Sequence, residues 1–254
     1  MSFCFMDKWS NFNHIAEDYH SKRKKPWRPL EFFLKHLKNR GYIFKGIILD
    51  LGCANGRNFE LISIPPNKLI GIDLSFELLK IARSNLKYNS QYSQFESNFI
   101  QLILGDIVNL PIRKRSMDTI FSIATIHHIK KKSERERVIA QIHELLRENG
   151  SLILTVWRKW QKKFRSYFIL EWFKRNFSIK FKKQQKLIGL EEFGDKFVPW
   201  TLSKERKTYN RFYHFFSKYE LKKLLKAFNI IELHITGGPN NRDNFFIFAR
   251  KSIN

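Results

Sequence analysis

The stretch Gly46-Ile47-Ile48-Leu49-Asp50-Leu51-Gly52-Cys53-Ala54-Asn55-Gly56 decides the fold. An apolar run of strand length ends on a glycine-bounded turn, and the helical segment Arg57–Ile62 follows. Strand, tight turn and helix in that order make a βα unit, whose glycines let the backbone pass close to a ligand with no Cβ in the way. Outward from it, further strand-length runs recur at Lys68–Asp73, Phe99–Leu104, Asp118–Ala124 and Ser151–Trp157, with helix-period segments between them. That alternation predicts a parallel sheet with crossover helices. The clearest helix spans Ser133–Arg147: Ser133 and Glu136 offer a capping box, Val138, Ile139, Ile142, Leu145 and Leu146 share a face, and Asn149-Gly150 ends it. Further on, Ser217–Phe228 reads as a helix, and strands Ile230–Thr236 and Phe245–Arg250 flank the turn Gly237-Gly238-Pro239-Asn240-Asn241. The seven strands predict a doubly wound, mostly parallel α/β sheet, Rossmann-like, with one antiparallel strand at its edge.

A chain of 254 residues suits one domain. Its parts are a basic extension over 1–45, a ligand-binding core over 46–157, a basic aromatic insertion over 158–215, and a closing helix and strand pair over 216–254. Cys4 and Cys53 can make neither a disulfide framework nor a multi-cysteine zinc site, which points to a reducing, cytoplasmic setting. The opening MSFCFMDKW lacks a basic then apolar leader, and no run approaches the roughly 18 apolar residues of a membrane span. The expectation is a soluble protein with no stable membrane insertion.

The formal charge is +24, unevenly spread. Residues 1–45 carry 10 basic against 4 acidic side chains, 46–156 carry 14 against 11, and 157–254 carry 23 against 8. A nearly balanced core between basic flanks suits a polyanion-binding surface, against which stands a merely solvated, lysine-rich exterior. Within the insertion, Trp160, Phe164, Phe168 and Trp172 recur every four residues and predict a helix with an aromatic stripe. That stripe can dock on the sheet edge while its lysines hold a nucleic-acid backbone. A basic amphipathic helix lying on an anionic membrane is the third reading.

Two further acids follow the turn at strand ends. Asp73 closes Leu69-Ile70-Gly71-Ile72-Asp73-Leu74-Ser75, where a carboxylate can accept from both ribose hydroxyls. Asp106 in Leu104-Gly105-Asp106 is placed to meet an adenine amino group. Acids that merely cap helices are the bland alternative, which three successive strand ends (Asp50, Asp73, Asp106) argue against. The turn is not the fuller G-x-G-x-x-G fingerprint of phosphate-bearing dinucleotides. These residues resemble the class I S-adenosylmethionine-dependent methyltransferases. The resemblance implies S-adenosylmethionine as cofactor, with Asp50, Gly52, Cys53, Ala54, Asn55 and Gly56 at the methionine end, Asp73 and Leu74 at the ribose, Asp106 and Ile107 at the adenine, and Ala124 beside them. Ala54 departs from the commonest form of the turn, which has a third glycine there.

After the fourth strand, Ser122-Ile123-Ala124-Thr125-Ile126-His127-His128-Ile129 falls at the carboxyl end of the sheet. His127 and His128 could ligate a metal, act as a base, position an acceptor or its loop, or simply fill the loop, one ring being structural. Metal is the weakest reading, because no Cys, Asp or Glu stands at ligand spacing, and no metal is expected. Together with Trp27-Arg28-Pro29, Phe32-Phe33-Leu34, Thr155-Val156-Trp157, Val198-Pro199-Trp200, Arg211-Phe212-Tyr213-His214-Phe215, Glu220-Leu221 and Asn241-Arg242-Asp243-Asn244-Phe245, this stretch narrows the resemblance. It is to the tRNA wobble-uridine carboxymethyl methyltransferases, which esterify a 5-carboxymethyl group. Phe245-Phe246 departs from the tryptophan common there.

A carboxylate acceptor is already anionic, so such a reaction needs positioning and charge compensation rather than a strong base. Arg23, Arg211, His214 and Arg242 are the candidate cationic hands, with His127 beside them at the acceptor. Trp27, His128, Trp157, Asn244, Lys162 and Lys163 complete the expected substrate contacts. The resemblance also implies a small zinc-binding activator protein, which an exposed strand edge and stray aromatics such as Phe44 and Trp172 would welcome. Competing readings are methylation of a small-molecule or lipid-like acceptor, and a non-catalytic RNA-binding relic of the fold.

Overall fold

A computed structural model describes residues 10–62, 67–88 and 99–252. Cys4 and the opening MSFCFMDKW lie outside them. In chain order the elements are α1 (Ser10–His14), α2 (Ala16–Lys22), α3 (Arg28–Asn39), β1 (Ile47–Leu51), α4 (Phe59–Ile62), β2 (Lys68–Asp73), α5 (Phe76–Tyr88), β3 (Ile100–Leu104) and β4 (Met117–Ile123). Then come α6 (Lys132–Leu145), β5 (Leu146–Trp157), α7 (Arg165–Phe177), α8 (Ile179–Leu187), β6 (Asp195–Thr201), β7 (Thr208–His214), α9 (Lys218–Leu224), β8 (Phe228–Thr236) and β9 (Asn244–Lys251). Seven strands form one sheet in the order β3-β2-β1-β4-β5-β9-β8. All pairings from β3 to β5 are parallel, and β9 runs antiparallel to both β5 and β8. The strand order reverses between β1 and β4, and such a switch point opens a crevice beyond the carboxyl ends of the strands.

Both faces of the sheet are covered, which is why its central strands read as continuous apolar runs. On one face Leu49, Leu51, Ile120, Leu152 and Leu154 pack under Val138, Ile139 and Ile142 of α6 and Leu221 of α9. On the other, Ile48, Phe121, Ile153, Phe246 and Phe248 pack under Leu30, Phe33 and Leu37 of α3, with Phe59 and Leu79. Each such fully buried side chain is worth roughly 1.5–3 kcal/mol. Phe44 belongs to this layer, edge-on to Phe121 and Phe248, so it is not stray apolar surface. Trp172 is exposed, as are Leu104 at the end of β3 and Phe76 at the start of α5.

Three local expectations are corrected. The Ser133/Glu136 capping box does not form: the helix is capped at Lys131, with no side-chain cap. The helix also stops at Leu145, because Leu146 is fully buried and extended (φ −68°, ψ 137°) and pairs with Met117 of β4. Core burial thus takes Leu146 into the sheet, and Asn149, at φ 61°, turns the chain within β5 before Ser151 resumes pairing with Thr119.

The insertion, too, is not one long striped helix. Lys162–Phe164 form a single 3₁₀ turn, and Ser178 Oγ caps α8 by accepting from Phe181 N at 3.2 Å. Phe164 and Phe168 face inward, whereas Trp160 and Trp172 are 39% and 47% exposed; the next inward position is Glu171, paired with Arg175 at 2.7 Å. The inward aromatics meet Val198, Tyr213 and Phe215. They pack on a second, two-stranded sheet of β6 and β7 rather than on the edge of the large one.

Candidate active site

Cavity-forming chemistry begins at the turn after β1. Gly52 N and Cys53 N donate to Ile72 O at 2.7 and 3.0 Å, which folds the turn back over the end of β2. Gly52 sits at φ 76°, where a Cβ would strike Thr125 at 2.3 Å. Ala54 also takes a left-handed φ of 52°, and its N–H donates to Asp73 Oδ2 at 2.8 Å. Ser75 N donates to Asp73 Oδ1 at 2.8 Å. Burial raises the Asp73 pKa against the pull of these amides. Each oxygen keeps a lone pair for a ligand hydroxyl.

These residues line a cavity of about 650 Å³, a size suited to a nucleoside-sized ligand and part of an acceptor. Of the expected cofactor residues, Gly52, Cys53, Ala54, Asp73, Leu74, Asp106, Ile107 and Ala124 line it. Asp50, Asn55 and Gly56 stand behind its wall instead. Asn55 is wholly buried, its Nδ2 3.0 Å from His20 Nδ1 and donating to Arg23 O at 3.0 Å, so it ties α2 to the turn. Gly56 lies over Phe59, whose ring a Cβ would meet at 2.6 Å. Asp50 is buried beneath the turn with Oδ1 unpartnered; burial, then the charge of Asp73, pushes its pKa up to about 7.

The other half of the cavity is aromatic and cationic. His127 and His128 follow β4 on one helical turn, with ring centroids 4.5 Å apart. His128 Nδ1 donates to Phe212 O at 2.9 Å, and His127 Nδ1 accepts from Trp157 N at 3.3 Å. Burial lowers both pKa values, that of His128 to about 3, so both rings are neutral at physiological pH. Trp157, from the end of β5, stacks on Tyr213 at 4.2 Å, and Tyr213 stacks on His127 at 5.0 Å.

Arg211 of β7 enters this wall between the Trp200 and Tyr213 rings, 4.6 and 5.2 Å from their centroids. It is only 9% exposed, its Nε has no hydrogen-bond partner, and among the described residues no carboxylate pairs with it. An uncompensated, nearly buried guanidinium is costly, and an anion entering the cavity would relieve the cost. Arg23 and Lys163 also line the cavity. Arg23 is held there because Asp18 of α2 accepts from Trp200 Nε1 at 2.7 Å and from Ser203 N at 2.8 Å, drawing the N-terminal helices onto the β6–β7 hairpin. Trp27 and Asn244 line the cavity as well.

Among these candidates His214 is corrected, while Arg242 and Lys162 stand outside the cavity as exposed cations. His214 lies outside the cavity, wholly buried, its Nδ1 2.7 Å from Asp195 Oδ1 and its Nε2 2.6 Å from Glu220 Oε1. It clasps β6, β7 and α9 together. Arg242 and Lys162 are exposed and do not line the cavity; the carbonyl of Arg242 instead accepts from Arg158 Nε at 2.8 Å. Residues the sequence reading passed over include Phe12, Tyr19, Arg57, Asn58 and Gln161, all lining the cavity. Tyr213 and Trp200 stood in the blocks that carried the resemblance, but their alternation along two strands was the missed signal.

Residues 49–154 match the family model of a methyltransferase domain. The chain carries a methyltransferase domain. It is 27% identical to the tRNA (carboxymethyluridine(34)-5-O)-methyltransferase of Schizosaccharomyces pombe, over 95% of this chain and 94% of that protein. It is 30% identical to the enzyme of the same name from Saccharomyces cerevisiae, over 77% of this chain and 56% of that one. Among solved structures, a SAM-dependent methyltransferase from Methanosarcina mazei superposes with a TM-score of 0.67 at 18% identity, over 86% of this chain and 98% of that one. The matched domain runs from inside β1 almost to the end of β5, so Arg211 and its hairpin lie beyond it.

Proposed function

We propose that this chain is an S-adenosylmethionine-dependent methyltransferase that esterifies the carboxymethyl group of a modified wobble uridine in tRNA. The observation that carries the reading is that Asp73 and Arg211, which has no carboxylate partner among the described residues, line one cavity. A ribose acceptor at one end and an anion-seeking guanidinium at the other are what joining a nucleoside-bearing cofactor to a carboxylate acceptor requires. The cradle fits S-adenosylmethionine: the Gly52 turn leaves room where a Cβ would clash, and Asp73, Leu74, Asp106 and Ile107 would hold its nucleoside. When bound, that cofactor supplies an electrophilic sulfonium methyl.

The chain's own residues do the rest. Arg211 grips the acceptor carboxylate, and the half-buried Trp157 ring, backed by Tyr213, offers a face for the base to stack on. Transfer of that methyl to a carboxylate oxygen would release no proton, so the site has none to remove. The neutral His127 and His128 suit that chemistry: they shape the wall and orient, and no base is asked of them. Exposed lysines of α8 (Lys180, Lys182, Lys183 and Lys186) would hold the tRNA backbone. A small zinc-binding activator would pair with the β3 edge, where Leu104 is exposed. The setting is cytoplasmic; among the described residues no helix is long and apolar enough to cross a membrane.

The test is incubation of the purified protein, with and without an activator, with S-adenosylmethionine and tRNA from cells lacking the gene. Mass spectrometry of the nucleosides should show the wobble carboxymethyluridine gaining one methyl. Methyl transfer into a small-molecule extract and not into tRNA would sink the tRNA reading and leave the methyltransferase.

A further inference from the structure

Through residues that do not line the cavity, α3 packs against β8 and β9 at the edge of the large sheet. There β8 departs from a regular ladder. Ile230 pairs with Ala249 but Glu232 pairs with Phe248, so Ile231 is an extra residue, a β-bulge. Directly opposed residues of an antiparallel pair share a face. Phe246 and Phe248 face α3, and so Glu232 and His234, opposite Phe248 and Phe246, face it too. Without the bulge Ile231 would stand opposite Phe248 and Glu232 would point to the other side of the sheet. The bulge therefore turns a carboxylate and an imidazole towards α3, whose last turn presents His36.

Three donor atoms converge there. His234 Nε2 is 3.0 Å from Glu232 Oε2, and His36 Nε2 is 3.9 Å from Glu232 Oε1. The three lie within 4.8 Å of one another, and the two imidazole centroids are 4.8 Å apart. Tetrahedral zinc, with bonds of about 2.0–2.1 Å, spaces its donors by roughly 3.3 Å, so these positions need only small adjustments. Phe33 packs edge-on against His234 at 5.4 Å and limits where that ring can go. The second observation is His36 Nε2 itself, buried with no hydrogen-bond partner. Buried polar atoms are seldom left so. The other carboxylate and histidine group, Glu192, Asp195 and His214, differs: both His214 nitrogens are already engaged by carboxylates.

We propose that His36, Glu232 and His234 form a divalent-metal site of the zinc class that staples the end of α3 to the edge strand β8. Two imidazoles and one carboxylate are a borderline donor set that zinc accepts, with a fourth position left for water. Arg40 sets the limit on affinity. Its Nη1 lies 2.7 Å from Glu232 Oε1, leaving Oε2 for the metal but placing a fixed positive charge nearby. The staple sits where an unpaired strand edge would otherwise fray.

The test uses the full chain, stripped with a chelator and titrated with zinc by calorimetry. A parallel titration with cobalt reads tetrahedral coordination from its visible spectrum. One equivalent should bind and raise the thermal midpoint. His36→Ala and His234→Ala should each weaken binding at least about tenfold, while Arg40→Ala should tighten it several-fold. All three side chains are partly exposed, so the metal-free variants should unfold as the parent does. Zinc binding unchanged in both histidine variants would put the metal elsewhere and overturn the proposal. No binding at all would leave Arg40 and Glu232 as a plain ion pair and overturn it equally.

Discussion

Ala54 N donates to Asp73 Oδ2 across 2.8 Å, tying the turn after β1 to the carboxylate that ends β2. The same carboxylate accepts from Ser75 N, so its position is set before any ligand arrives. Preorganisation of that kind lets the remaining lone pairs act on a ribose without further ordering cost. Asp73→Ala should therefore weaken S-adenosylmethionine binding by about 1.5–3 kcal/mol for each hydrogen bond lost, at least tenfold in calorimetry. Circular dichroism should show the sheet retained. Unchanged cofactor affinity in a folded variant would remove Asp73 from the site.

Ala54 carries a separate cost. A non-glycine residue at φ 52° is strained by about 1 kcal/mol, which glycine would not pay. Ala54→Gly should raise the thermal midpoint by a few degrees, on the order of 2–4 °C for a domain of this size, with cofactor affinity held or improved. A lower midpoint would mean that the methyl group packs usefully against the turn.

Arg211 links stability and function with opposite signs. Replacing it by Met removes a nearly buried, unpaired charge while keeping apolar bulk between Trp200 and Tyr213, so stability should hold or rise. Catalytic efficiency on tRNA should fall by about 1.5–3 kcal/mol, ten- to a hundredfold, as the charge-assisted grip on the acceptor is lost. Lys at this position should rescue little, because an ammonium has neither the fork nor the stacking plane. A variant with full activity would show that the acceptor carboxylate is held elsewhere.

How much of this was legible beforehand follows from the range over which each cause acts. The turn after β1 and the strand-end positions of Asp73 and Asp106 were readable because glycine conformation and strand ends are local properties, and the sheet followed from strand-length periodicity. Leu146 was misplaced because its helical spacing looked regular, while its pairing with Met117 depends on a strand 29 residues upstream. The β6–β7 hairpin went unseen because charged and aromatic residues mask its alternation. His214 was misassigned for a related reason: its carboxylate partners, Asp195 and Glu220, lie 19 residues before it and six after it. No short pattern separates a clasp from an acceptor contact.

The exposed lysines of α8 allow a test of the nucleic-acid surface apart from the cavity. Lys182→Glu with Lys183→Glu should raise KM for tRNA several-fold and leave kcat nearly unchanged, because neither residue lines the cavity. The parent should lose activity steeply with added salt, and the double variant less so, since fewer counterions are released on binding. Equal salt dependence in the two proteins would mean that the tRNA backbone runs elsewhere.

The His214 clasp should leave a signature in the pH dependence of stability. Burial opposes charging of His214, but its contacts with Asp195 and Glu220 outweigh that and hold its pKa above the usual 6.5. Its contribution is thus complete below about 6.5 and is lost as pH rises through the folded value. Burial works against ionised Glu220 too, yet the His214 hydrogen bond and charge lower its pKa from 4.5 to about 2. That contribution is present above about 4.5 and disappears as pH falls towards 2. The clasp should therefore stabilise most between about pH 4.5 and 6.5. Thermal melts of the parent and of His214→Gln across pH 3 to 9 should differ most in that window and converge on either side. A difference independent of pH would assign His214 to packing alone, with its two carboxylates as bystanders.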